Sequence, residues 1–449
     1  MGTVKNVQGQ ARIPRRMKKV LIIAYYWPPS GGGGVQRWLK FVKYLPQFGW
    51  EPIVYTPENP NAPANDLSLE KDIPAGITVL KQPIKEPYQI YRLMTGRKKT
   101  ENLGAAFASE KKNPKLEKFA IWLRSNFFIP DARIFWVKPS VKYLTQYLRN
   151  NPVDIIVTTG PPHSMHLIGL NLRKKINIPW IADFRDPWIG IDYYDELLLT
   201  GWADKKHRKL ERQVLESTDH VITVSKANTE AFNQLGFDHI SFITNGFDQD
   251  DLSTGSVEPD SAFSIAHIGT FMFNRNPETL WQVLSELISE NAGFAKDLKI
   301  KLIGKVDQRI TERINHYHLH QYLDQRKYLP HDQAILELKK SQLLLLVINK
   351  TGNSMGMLTG KIFEYISSER PVLCIGPKGC DAGKLLNETR TGSLTEMEDK
   401  VGLKNTILQY YNAYKRGDLK VEPIKLENYS RKTLTKQLSV IFDKVIDSD

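Results

Sequence analysis

The sequence predicts an α/β protein made of two Rossmann-like halves in tandem, and three observations carry that expectation. Short apolar runs alternate with stretches whose apolar residues recur at helical spacing, the pattern of a mostly parallel sheet covered on both faces. The alternation pauses once, in the acidic, Ser- and Gly-containing segment 249–261, and then restarts. In each half a glycine-bearing segment follows the first apolar run, where an open α/β sheet places its ligands.

Each element has its own signal. Lys19 to Ala24 is an apolar run between charge and Pro28-Pro29, and reads as a buried parallel strand. After Gly31-Gly-Gly-Gly34, residues Val35, Trp38, Leu39, Val42 and Leu45 keep helical spacing as far as Phe48, and Gly49 stops the helix. Glu51 to Tyr55 is the next strand and completes a strand, glycine loop, helix and strand unit. Residues 59–130 are less regular; 95–118 is dense in lysine, and 120–136 carries Trp122, Phe127, Phe128, Phe135 and Trp136. Further strands are expected at Asp154 to Thr158, Pro179 to Asp183, His220 to Val224 and Ile240 to Ile243. Helices are expected at Val141 to Leu148, His163 to Lys174, Trp202 to Glu216 and Lys226 to Leu235. Beyond the pause, strands fall at Phe263 to Ile268, Leu298 to Ile303, Leu343 to Ile348 and Pro371 to Ile375. Helices follow at Pro277 to Ile288, Thr311 to His318, Gln333 to Lys340, Lys361 to Ser367, Leu403 to Lys415 and Arg431 to Val445.

Composition narrows the function. A chain of 449 residues holds two or three domains at about 100–200 residues each. It has no run of about 20 apolar residues, which speaks against a membrane-spanning helix. Two cysteines, Cys374 and Cys380, are too few for a disulfide scaffold or a Cys-rich zinc site and fit a reducing cytoplasm. Residues 1–150 hold 25 Lys and Arg against 10 Asp and Glu, a local net of +15 in a chain whose total is +13. Nucleic acid, an anionic membrane surface and a phosphorylated substrate all suit that charge, as do plain solubility and a loose basic tail. The leader lacks an apolar core and does not read as a signal peptide.

Three constellations can carry chemistry. Gly31 to Gly34 lets backbone approach a ligand closely, with a helix start behind it; a flexible turn is the bland alternative. In Gly269-Thr-Phe-Met-Phe-Asn-Arg275, the guanidinium can reach a diphosphate, or remain a solvated loop arginine. The third runs from Asn349 to Glu364, a small polar loop with Thr351, Gly352, Asn353, Ser354, Gly356, Thr359 and Gly360 leading into Lys361-Ile-Phe-Glu364. Loop amides, Lys361 and a helix start form an anion cradle there, and Glu364 can accept two vicinal ribose hydroxyls; a surface Lys–Glu pair is the alternative. His163, Asp183 and Asp186 lie at strand ends of the first half. His163 is a contact for sugar or acceptor or else caps a helix start, and Asp186 orients an acceptor hydroxyl or pairs with Arg185.

The segments Pro28 to Arg37, Ala182 to Trp188, Val224-Ser-Lys226, Ile243 to Asp248, Gly269 to Pro277, and Lys361 to Tyr365 with Arg370-Pro-Val372 run in the order of a known family. The chain resembles a GT-B glycosyltransferase of family 4, the retaining, nucleotide-sugar-dependent type. The resemblance implies two Rossmann-like domains facing across a central cleft. It divides the chain into a disordered basic leader at 1–17, an acceptor domain at 18–248 and a linker at 249–261. A donor domain at 262–415 follows, then a C-terminal helical segment at 416–449, for which packing back on the N-terminal domain is one placement. It implies that Arg275 and Lys361 hold the diphosphate; His163 and Asp186 join them as catalytic candidates from their strand-end positions. Donor binding falls to Gly33, Gly34, Gly269, Thr270, Thr359, Gly360 and Glu364. No metal and no cofactor beyond the nucleotide-diphosphate sugar is implied, because cations neutralise the leaving diphosphate. Two positions depart from the family pattern: Gly356 stands where an acid often contacts the donor sugar, and Thr270 stands where an arginine follows the glycine.

The reading is therefore an enzyme of cell-surface polysaccharide or glycoconjugate assembly. Its partners are a nucleotide-sugar donor and a glycan or lipid-linked acceptor. The aromatic, basic stretch 115–138 suits an anionic membrane surface at the cytoplasmic face, or a buried helix and loop under the first sheet. Segment 245–260 is the expected hinge. A nucleotide-sugar epimerase of the same fold and a non-catalytic transferase-like binding subunit stand as alternatives. No base-reading module appears, and nucleic acid is not an expected partner.

Overall fold

The computed structural model describes residues 16–62, 65–86, 114–191, 194–252, 257–349 and 354–448. The leader to residue 15, most of the lysine-dense stretch 95–118, the middle of segment 249–261, and Thr351, Gly352 and Asn353 lie outside the described residues.

Two parallel sheets form the protein. The first contains β1 (Lys18–Ile23), β2 (Trp50–Pro57), β3 (Thr78–Gln82), β4 (Ile155–Gly160), β5 (Trp180–Phe184), β6 (His220–Thr223) and β7 (Ile240–Phe242), in the spatial order 3-2-1-4-5-6-7. The second contains β8 (Phe263–Ile268), β9 (Leu298–Ile303), β10 (Leu323–Arg326), β11 (Leu343–Val347), β12 (Val372–Ile375) and β13 (Gly392–Thr395), in the order 10-9-8-11-12-13. Central strands β1, β4, β8 and β11 are the apolar runs read from the sequence. Helices cover both faces, so alternation of polar and apolar residues is not required in them. Register agrees with this, Val20 to Ile23 lying beside Ile155 to Thr158.

The helix Gly33–Tyr44 behind the glycine loop is buried on nearly every side, Arg37 and Lys40 included. One face meets the first sheet; another meets the C-terminal helix Arg431–Asp447, which crosses back onto the N-terminal domain. Leu434, Leu438 and Phe442 join Val20, Ile22, Trp38 and Phe41 in one core, with the Phe442 ring 5.1 Å from that of Trp50. Burying each such side chain contributes about 1.5–3 kcal/mol.

The aromatic stretch divides. Trp136, in the helix Ile134–Asn150, is buried and stacks on Tyr55 at 4.9 Å. Phe119 and Phe127 on the helix Pro114–Phe127, with Phe135, are 49%, 64% and 56% exposed. The two chain crossings between the domains pair with each other: Phe247 N donates to Tyr429 O at 3.1 Å, and Arg431 N donates to Phe247 O at 2.8 Å.

Candidate active site

In each sheet the strand order reverses at one point, between β1 and β4 and between β8 and β11, and chain ends there leave a crevice for ligands. The two crevices meet in a cleft of about 390 Å³ between the domains. Gly33, Gly34 and Asp186 line its N-terminal wall; Arg275, Thr359 and Gly360 line the opposite one. These six of the expected site residues are brought together. His163, Gly269, Thr270, Lys361 and Glu364 are not on the lining, and their surroundings differ.

On the N-terminal wall, Gly33 faces open space, while the Gly34 carbonyl accepts from Arg185 Nη1 at 2.6 Å. The same guanidinium donates to the carbonyls of Gly160 and Pro161, pinning the glycine loop to the loop after β4. Arg185 is thus a site residue that its motif alone did not single out; its one signal was an arginine between two aspartates at a strand end. Asp186 stands exposed beside it, and its charge supports the arginine's protonation against burial. Asp183 does not face the cleft chemistry. It is fully buried and accepts from Arg37 Nη2 (2.9 Å), Trp38 Nε1 (2.7 Å) and Thr159 Oγ1 (2.8 Å). Burial pushes its pKa up, but Arg37 outweighs that and holds it below the usual carboxylate range. His163 precedes the helix Ser164–Arg173 without capping it through its side chain. It stacks on Trp188 at 4.9 Å, and burial with neighbouring His166 keeps it neutral.

On the C-terminal side, β8 is followed by Gly269, whose φ of +115° suits a residue without Cβ. A Cβ there would also lie 3.0 Å from Lys361 Nζ. The ammonium therefore lies against the strand end, and donates to His267 Nε2 at 3.0 Å. His267 Nδ1 is 3.1 Å from the Leu345 carbonyl, which sets the proton on Nδ1 and leaves Nε2 as the acceptor. Burial, then the like charge of Arg275, lowers Lys361 to about 7. Arg275 sits on the short turn Phe273–Arg275 and contacts Met357 Sδ at 3.7 Å. Thr270 is exposed, and its carbonyl faces His267. Glu364 lies one turn into the helix Gly360–Ile366, 3.9 Å from His331 Nδ1; His331 in turn contacts Gln36 of the N-terminal domain at 3.2 Å. Burial raises the Glu364 carboxyl, with His331 opposing. A buried charge cluster lies nearby: Lys40 contacts Asp72, Asp248 and Asp251 at 2.8, 2.7 and 3.0 Å. Burial disfavours that ammonium, and the carboxylates reverse the effect.

Residues 105–251 match the family model of Glycosyltransferase Family 4. Among curated proteins, none matches the chain in sequence. Solved structures match it closely in fold at low identity. A glycosyltransferase from Rickettsia africae superposes with a TM-score of 0.59 at 15% identity, over 96% of this chain and 99% of that one. Anabaena HepE in complex with UDP-glucose gives 0.55 at 14%, over 96% and 98%. A Listeria monocytogenes protein described as a UDP-N-acetylglucosamine 2-epimerase gives 0.55 at 11%, over 96% and 97%. Two facing Rossmann-like domains over nearly its whole length give the chain the GT-B fold of these structures, and residues 105–251 are similar to the family 4 glycosyltransferases.

Proposed function

We propose that the protein transfers a sugar from a nucleotide diphosphate to an acceptor hydroxyl, with retention at the anomeric carbon and without a metal, in glycan or glycoconjugate assembly. The observation that carries this is the placement of two basic side chains, Arg275 on the lining and Lys361 against Gly269, on the C-terminal side of a cleft whose other wall is the Gly33-Gly34 backbone. Glycosyl transfer builds positive charge on the sugar ring and negative charge on the departing phosphate. Arg275 offers a rigid fork to that phosphate, and Lys361 adds a compact charge that His267 and Leu345 hold in place. Together they supply the neutralisation that other transferases take from a divalent ion. Glu364 accepts the ribose hydroxyls, Asp186 orients the acceptor, and His163, whose ring lies beside Gly160 and Trp188, is the proposed support for sugar or acceptor.

An anionic membrane is the proposed carrier of the acceptor. Phe119, Phe127, Phe135, Leu198 and Trp202 are exposed on the N-terminal domain. Asn126 bonds Thr200 N and Leu198 O, which places the 198–202 turn beside the aromatic helix. Lys206 Nζ lies 4.9 Å from the Trp202 ring, so cation and aromatic face outward together. Among the described residues no helix is long and apolar enough to cross a membrane.

A screen of sugar nucleotides by mass spectrometry, with and without acceptor extracts, tests the reaction. Transfer to an acceptor is the expected result; release of an epimerised sugar with no transfer would contradict it. Arg275→Ala should cut turnover on the active donor by about 10²–10³, and unchanged turnover would remove the electrostatic argument.

A further inference from the structure

The helix Lys226–Gln234 of the N-terminal domain begins at the cleft. Its N-cap is Ser225, whose Oγ accepts from Asn228 N at 3.2 Å, which holds Asn228 in the first turn. The helix start is docked on the other domain: Ala227 N donates to Asp381 Oδ2 at 3.1 Å. Asn228 lies on the cleft lining with Arg275, Thr359 and Gly360. The residue is 8% exposed, and its side chain makes no hydrogen bond among the described residues. Asn245, the other amide on the lining, is engaged with Arg37 and the Leu358 carbonyl.

Gly356 explains how Asn228 comes to be there. A Cβ on Gly356 would lie 2.8 Å from Ser225 Oγ, 2.9 Å from Asn228 Oδ1 and 3.1 Å from Ala227 Cβ. Any side chain at 356 would collide with the helix start. The small residue lets the N-terminal domain reach the cleft and fills the space with an amide from that side.

We infer that Asn228 is a specificity-determining residue that reads hydroxyl groups of the donor hexose from the N-terminal domain. The inference rests on the proposed donor cleft and adds a named sugar contact to it. A primary amide carries two N–H donors and one carbonyl acceptor, so it can both donate to and accept from neighbouring hydroxyls. A sugar bound to a phosphate at Arg275 is confined to the adjoining part of the lining, where Asn228 stands. Its amide group is not engaged by neighbouring side chains, so a sugar hydroxyl on the lining can pair with it without breaking a bond within the protein.

The test is calorimetric titration of wild type and Asn228→Ala with UDP-, GDP-, ADP- and dTDP-linked hexoses and each parent nucleotide, with a thermal melt as fold control. For the pair that wild type binds, the variant should lose about tenfold in affinity for the sugar nucleotide while the parent nucleotide stays within twofold. It should also change the ranking of hexoses on one nucleotide. If the alanine variant melts far below wild type, Asn228→Asp keeps the shape, lacks the N–H donors and gives the same readout. An equal loss for sugar nucleotide and nucleotide, or no loss for either, overturns the inference while leaving the donor cleft standing. A wild-type protein that binds none of these ligands overturns both.

Discussion

At the scale of single residues, the site separates charges that hold the fold from charges placed for a ligand. Asp183 belongs to the first kind. Substituting Asp183→Ala strips Arg37 of its buried partner, and we expect a loss of about 3–5 kcal/mol in a denaturant melt. A loss below about 1 kcal/mol would show that Asp183 is not the anchor described. The strand-end position of Asp183 was legible in the sequence. Its structural role was not, because Arg37 pairs with it from far along the chain and no local pattern joins them. His267 escaped for a similar reason: a histidine inside an apolar strand reads as core until its ring is seen against Lys361.

Lys361 is the residue proposed for the second role, and it gives a pH prediction. Its pKa is lowered to about 7. A bound diphosphate favours the charged form, so donor binding should take up close to one proton near pH 8 and weaken as pH rises through that range. Titrations in buffers of different ionisation heat measure this uptake, and Lys361→Met should abolish it. The stability link has the opposite sign. Between about pH 7 and 10 the unfolded chain holds a proton the fold has shed, so this group's contribution to stability rises with pH.

Among elements, the central strands and the edge strand β7 were readable, and the other sheet edges were not. β1, β4, β8 and β11 are continuous apolar runs because helices cover both their faces. Edge strands β3, β10 and β13 read TVLKQ, LDQR and GSLT; with one side unpaired they need little apolar surface, and a search for apolar runs passes over them. The aromatic helix Pro114–Phe127 was visible by composition, but only the fold separates buried Trp136 from exposed Phe127. The full chain should float with vesicles containing phosphatidylglycerol and not with pure phosphatidylcholine. Phe127→Ser with Trp202→Ser should reduce flotation several-fold without lowering the melting temperature. Equal flotation on both lipids, or no effect of the substitutions, would exclude this surface as the membrane contact.

For the whole molecule, the tandem alternation and the pause near 249–261 made the two-domain plan legible. The pattern along the chain did not reveal that the connection is double: the linker at Phe247 is hydrogen-bonded to the returning chain at Tyr429 and Arg431. Nor did it reveal that the N-terminal domain supplies Asn228 across the cleft at Gly356, since that contact depends on how two separately folded sheets face each other. The central claim is that the donor's diphosphate lies between those sheets, on Arg275 and Lys361 and opposite Gly33-Gly34. A crystal structure of the protein with the sugar nucleotide selected by the donor screen tests it most directly. Phosphate oxygens should lie within hydrogen-bond distance of the Arg275 guanidinium and Lys361 Nζ, with the hexose turned toward the glycine wall. A fully occupied nucleotide whose diphosphate touches neither side chain would contradict it.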